Sequence, residues 1–167
     1  MSKSEENLKA AFAGESQANR KYLAFAKKAD ADGKKQVAKL FRAAADAETV
    51  HALNHLNVMG GVKSTAENLK EAVAGETHEY TEMYPGMIKD AEDEGNAEAK
   101  ASFEKANKVE QVHANLYKEA LAAVESGKDL EGKDIHVCQV CGNTFVGDVP
   151  DNCPICGVPK QSFKKIE

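Results

Sequence analysis

Through the first 126 positions, apolar residues recur at steps of three and four, the period of an amphipathic helix, and four such stretches stand out. The first begins at Ser2 or Ser4, where Ser2-Lys3-Ser4-Glu5 has capping-box spacing, and runs to Asp32-Gly33 with Leu8, Phe12, Glu15, Asn19, Tyr22 and Ala26 on one stripe. The second, about residues 34 to 59, carries Phe41, Ala44, Glu48, His51, His55 and Val58 and stops at Gly60-Gly61. The third opens on a capping box at Ser64-Thr65-Ala66-Glu67 and turns Leu69, Val73, Glu76, Tyr80 and Met83 inward, with Pro85 expected to kink it. The fourth, about residues 97 to 126, aligns Phe103, Ala106, Glu110, His113 and Tyr117.

Each stripe contains ionisable groups where a core should be apolar, and an unpaired carboxylate there is costly. Their placement repeats. Glu48-Thr49-Val50-His51 and Glu110-Gln111-Val112-His113 each set a carboxylate three residues before an imidazole, on one helix face. Ala13-Gly14-Glu15-Ser16 and Ala74-Gly75-Glu76-Thr77 precede them in matching settings. Glu15 to Glu76 is 61 positions, while Glu48 to Glu110, Phe41 to Phe103 and Gly33 to Gly95 are 62, so a helical hairpin is duplicated with one residue inserted at or near Pro85. Any single mid-helix glutamate is ordinarily a solvated residue. Four carboxylates and two histidines on core stripes at repeated offsets are a metal-ligand set, and it resembles that of ferritin-like di-iron and di-manganese four-helix bundles. Without cations such carboxylates would repel, and some would take up protons.

Composition changes near residue 130: all four cysteines and three of the four prolines follow residue 135. This sets expected domains of 1–130 and 131–167. The net charge of −5 lies entirely before residue 133, with acids interspersed among lysines, which excludes a basic nucleic-acid footprint. The amino terminus lacks an apolar signal region and no stretch reaches the length of a membrane span, so a soluble cytoplasmic protein is expected. In a reducing compartment, Cys138-x-x-Cys141 and Cys153-x-x-Cys156, each followed by glycine, are metal ligands rather than disulfides. Four thiolates suit zinc or a single iron; the Cys-Pro-x-Cys-Gly second knuckle and the short intervening loop favour iron. About 35 residues cannot build a sufficient core, so the metal must supply much of their folding energy.

Together these stretches, with Gly75-Glu76-Thr77-His78-Glu79-Tyr80-Thr81-Glu82-Met83-Tyr84-Pro85, make the whole chain resemble the rubrerythrins. That resemblance implies a mainly α fold: a ferritin-like four-helix bundle with a small C-terminal rubredoxin-like domain that binds metal through four cysteines. It implies two iron ions in a carboxylate-bridged site, with Glu48 and Glu110 bridging, Glu15 and Glu76 terminal, His51 and His113 as nitrogen ligands, and Glu79 as the additional carboxylate that separates this family from simpler ferritin-like sites. Glu79, Tyr22 and Tyr84 are the candidates for catalysis, and Cys138, Cys141, Cys153 and Cys156 for one further iron. His55 and His78 fall outside the repeat and are read as structural or as hydrogen-bond partners of the ligands. His136 and Asn143 depart from the family by replacing aromatic residues, a loss for which Phe145 could compensate.

The implied activity is reduction of hydrogen peroxide to water in oxidative-stress defence, with electrons from an external donor such as rubredoxin or an NAD(P)H-dependent reductase. The alternatives are a ferroxidase or iron-binding ferritin-like protein and a zinc-ribbon interaction module. His113 lies about 20 Å from the end of its helix at a rise of about 1.5 Å per residue. A nine-residue polar linker, 127–135, could fold the small domain back. A head-to-tail homodimer, with helical hairpins exchanged as one form of it, is the expectation preferred here.

Overall fold

The computed structural model describes residues 2–167. The chain divides between Lys63 and Ser64 into two compact units, each built on an antiparallel helical hairpin. In the first, α1 (Lys3–Ala31) starts at Ser2, whose hydroxyl accepts from the Glu5 amide while the Glu5 carboxylate accepts from the Ser2 amide. The hairpin reverses at Gly33, whose φ of 71° needs no side chain in the way, and α2 follows (Lys35–Val58). The helices are pinned by Arg42 to Asp30 at 2.7 Å, and by the Asn19 amide donating to Ala45 O and Thr49 Oγ1, both at 2.8 Å.

The face that α2 buries is not the stripe expected from the sequence. Ala38, Ala45 and Ala52, spaced by seven, form the closed seam, while Val58 is 71% exposed. Alanine lets two backbones approach closely. This turns Phe41, Glu48 and His51 to the flank of the hairpin, beside exposed Val37 and Leu40.

The second unit opens with α3 (Thr65–His78), capped by Ser64 and Glu67 in another capping box. A π-helical turn, Glu79–Met83, leads into α4 (Tyr84–Asp93). A π turn holds one residue more than the α turn it replaces. It therefore takes up the residue by which the repeat offset grows from 61 to 62, just ahead of Pro85. Helix α5 (Ala97–Glu125), capped by Asn96, returns antiparallel, joined by Lys70–Glu125 at 2.8 Å and Lys100–Glu92 at 3.1 Å. Val109, Ala114 and Ala120 are its buried residues.

Beyond α5, β1 (Ile135–Cys138) is central in an antiparallel sheet of order β2-β1-β3, with β2 at Thr144–Val146 and β3 at Phe163–Ile166. Phe145 stacks on Phe163 with ring centroids 4.7 Å apart, giving the lobe the aromatic core that His136 and Asn143 do not provide. Asn143 is buried and its carbonyl accepts from the Cys138 amide at 2.9 Å. The linker folds this lobe back onto α5 of the same chain, where Gly142 faces Val109 and Thr144 faces His113. The span along α5 thus imposes no need for a partner chain. No described helix is long and apolar enough to cross a membrane.

Candidate metal centres

Each hairpin gathers one carboxylate–histidine trio. In the first unit the ligating atoms of Glu15, Glu48 and His51 lie within 4.8 Å of one another. One helical turn brings His51 Nδ1 to 2.9 Å from Glu48 Oε2, and the Asn19 link fixes the register between α1 and α2. The His51 hydrogen bond, followed by that from Glu15, holds the Glu48 carboxyl below its ordinary value. Tyr22 lies on the same hairpin, its ring 6.3 Å from Phe25 and 6.2 Å from Phe41.

In the second unit Glu76, Glu110 and His113 form the equivalent trio, with His113 Nδ1 2.8 Å from Glu110 Oε2 and 3.8 Å from Glu76 Oε1. Burial, then the hydrogen bond with Glu110, pushes the Glu76 carboxyl up to about 7. Its second oxygen is buried with no hydrogen-bond partner. Glu79, on the π turn, is raised by burial and then by the charge of Glu110; it stands beside the trio rather than within it. The Tyr84 phenol is likewise raised, by burial and then by Glu110, Glu79 and Glu76, and its ring rests 6.3 Å from Phe103. Crowded carboxylates and an orphaned inward oxygen are what a divalent cation would relieve, so the residues fit a metal.

The four thiols are free, with Sγ separations of 3.7 Å for Cys138–Cys156 and 3.6 Å for Cys141–Cys153. A disulfide needs about 2.05 Å. A tetrahedral ion with metal–sulfur bonds of about 2.3 Å needs sulfur–sulfur edges near 3.8 Å, which these approach. Burial raises the Cys153 thiol, but amide donors from Cys156 and Ile155 outweigh it and bring the group down to about 7, as a metal-binding thiolate requires. Cys141 and Cys156 are raised, chiefly by burial.

All the sequence-assigned ligands except Glu79 therefore fall into three clusters. His78 lies outside them, pairing with Glu82 at 3.4 Å on the surface. The residue that sequence reading missed is Thr144, whose Oγ1 is 3.0 Å from His113 Nε2; nothing in its local pattern marks it.

Carboxylate–histidine trios repeated on two hairpins, together with a four-thiolate tetrahedron on a small sheet, define a non-haem iron oxidoreductase. A family profile described as Rubrerythrin matches residues 6–121, and one described as Rubrerythrin, rubredoxin-like domain, matches residues 136–164. The chain belongs to the rubrerythrin family. It is 33% identical to Rubrerythrin-2 of Clostridium acetobutylicum, over 94% of this chain and 93% of that one. It is 39% identical to Nigerythrin of Nitratidesulfovibrio vulgaris, over 95% of this chain and 84% of that one. Among solved structures it resembles the fully reduced, all-ferrous state of nigerythrin, with a TM-score of 0.59 and 34% identity over 99% of this chain and 88% of that one. The fold is accordingly mainly helical with a small C-terminal strand domain, and the cofactors are a di-iron site and a rubredoxin-like iron held by four cysteines. The activity is that of a di-iron peroxidase of the oxidative-stress response.

Proposed function

We propose that this chain reduces hydrogen peroxide to two waters, taking two electrons one at a time from an external donor such as rubredoxin or an NAD(P)H-dependent reductase. The observation that carries it is the pairing of carboxylate–histidine trios with a four-thiolate centre in one chain. Residues 1–130 serve as the peroxide-reducing module and 131–167 as the electron-receiving one. Glu15, Glu48 and His51 supply one half of the di-iron ligand set; Glu76, Glu79, Glu110 and His113 supply the other. Two ferrous ions, when bound, furnish two electrons and stabilise negative charge on the peroxide oxygens.

The remaining work belongs to the protein. Glu79, raised by burial and standing beside the trio rather than within it, holds its proton at pH values where an ordinary glutamate has begun to lose it and so can pass that proton to a peroxide oxygen. The proton that Glu76 holds in the metal-free chain is instead given up when a cation binds. The Tyr84 phenol, raised by burial and the surrounding carboxylates, stays protonated as a hydrogen-bond donor; Tyr22 packs against Phe25 and Phe41 on the first hairpin as a second candidate donor. Cys138, Cys141, Cys153 and Cys156 hold the one-iron centre that receives electrons from the donor.

The working unit is a homodimer, with hairpins exchanged between chains as one form of it, in a cytoplasmic setting. Support comes from the flank of α2, where Val37 and Leu40 stay exposed next to the ligand stripe, an apolar face that bundle assembly would cover. Stopped-flow mixing of anaerobically reduced, iron-loaded protein with peroxide tests the reading. Glu79→Ala should retain iron yet reoxidise on the order of 10²-fold more slowly, the usual scale for loss of a proton-transfer group. Wild-type kinetics in that variant would refute the role of Glu79, and faster oxidation by dioxygen than by peroxide in the wild type would refute the peroxidase reading.

A further inference from the structure

His113 uses both ring nitrogens: Nδ1 faces Glu110 at 2.8 Å, and Nε2 faces Thr144 Oγ1 at 3.0 Å. Thr144 opens β2, three residues after Cys141, and its hydroxyl also reaches Gly142 O at 3.4 Å. Val140 and Cys141 line a depression along the first half of α5, and Gly142 rests on Val109, so the cysteine lobe is seated on the helix that carries His113. His113 and Thr144 both line a mostly apolar cavity of about 360 Å³ together with Leu116, Ile135 and Val146.

We propose that Thr144 is a positioning residue through which the cysteine lobe sets the imidazole of its own chain's His113. The idea rests on reading His113 as an iron ligand through Nδ1. With Nδ1 committed to a cation, the ring proton sits on Nε2 and donates to Thr144 Oγ1, whose own proton turns to Gly142 O. Without a cation, the Nδ1 proton donates to Glu110 and the hydroxyl rotates to donate to Nε2. A hydroxyl is both donor and acceptor, so it serves either state with no net proton gained or lost. The result is a hydrogen-bonded path from the ligand ring to the backbone beside Cys141.

The test compares Thr144→Val, which keeps the shape, with Thr144→Ser, which keeps the hydroxyl, in the full chain. In zinc-loaded protein, ¹⁵N-edited NMR should show a slowly exchanging His113 Nε2 proton in wild type and Thr144→Ser but not in Thr144→Val. In iron-loaded protein, Thr144→Val should keep its visible colour and iron content but pass electrons from the one-iron to the di-iron centre at least about tenfold more slowly, the low end for loss of an outer-shell partner. Thr144→Ser should restore the rate to within about twofold, on that same scale. Resonance and rate both unchanged in Thr144→Val would overturn the proposal, as would equal loss in Thr144→Ser. In mixed assemblies, an isotope-labelled wild-type chain should keep its signal beside an unlabelled Thr144→Val partner; its loss would overturn the same-chain assignment. A wild-type chain whose His113 Nδ1 resonance does not respond to zinc would instead sink the ligand reading beneath the proposal.

Discussion

At the scale of single residues, Glu76 carries the clearest pH signature. Its carboxyl is raised from 4.5 to about 7 in the folded, metal-free chain, so between those values the native state holds a proton that the unfolded state has lost. Its contribution to stability is therefore fully present below about pH 4.5 and disappears as pH rises through about 7. Urea unfolding of metal-free protein should give a higher midpoint at pH 5 than at pH 7.5, with the difference shrinking in Glu76→Gln. Because a cation must displace that proton, zinc affinity should climb with pH across the same interval, and calorimetry in buffers of different ionisation heat should show its release. Glu110→Ala should lower metal content, since Glu110 contacts His113 and shares a hydrogen bond with Glu76; full iron occupancy in that variant would remove its bridging assignment. The candidate ligands were legible because they break an apolar period in two copies, at offsets of 61 and 62. Thr144 was not legible, because a contact 31 residues from its partner leaves no periodic trace.

Among the elements, the helices follow their sequence signals closely, with Ser2 and Ser64 capping where the Ser-x-x-Glu spacing places them. Ser64→Ala should cost about 1 kcal/mol in thermal or chemical unfolding, the usual loss for a removed N-cap. The kink anticipated at Pro85 takes the form of the π turn just before it, something hydropathy cannot specify but repeat arithmetic could locate to within a few residues. Deleting Thr81 should restore an α-helical register and rotate Glu79 and Tyr84 against each other by about one residue's turn. The deletion variant should keep its helical circular dichroism and cysteine-iron colour while losing peroxide reactivity to the extent that Glu79→Ala does; wild-type kinetics would show that the turn is dispensable. Two elements escaped the sequence for physical reasons. The Ala38, Ala45, Ala52 seam is nearly silent in hydropathy, and strands of three and four residues are too short to show alternation.

For the whole molecule, exposed apolar residues distinguish a free surface from an assembly face. Leu40 is 69% exposed, so Leu40→Glu would change stability by no more than about 0.5 kcal/mol on an ordinary surface. If the proposed homodimer uses this face, the variant should dissociate it in sedimentation velocity runs and lower bundle iron content, leaving the cysteine centre coloured. Cys141→Ser should abolish that colour and multi-turnover activity yet spare one turnover of chemically reduced protein, because the trios and the thiolates share no ligand. The offset of 62 records two copies of one hairpin, but only the second acquired the π turn. A perfectly repeated hairpin would offer two equivalent berths and titrate with a single affinity. This chain has broken its own symmetry by one residue: in the proposed ligand set, Glu79 on the π turn gives the second berth a spare oxygen donor that the first hairpin's trio lacks. Metal should therefore enter in two resolvable steps, and the two ions should differ in how readily each changes its ligands.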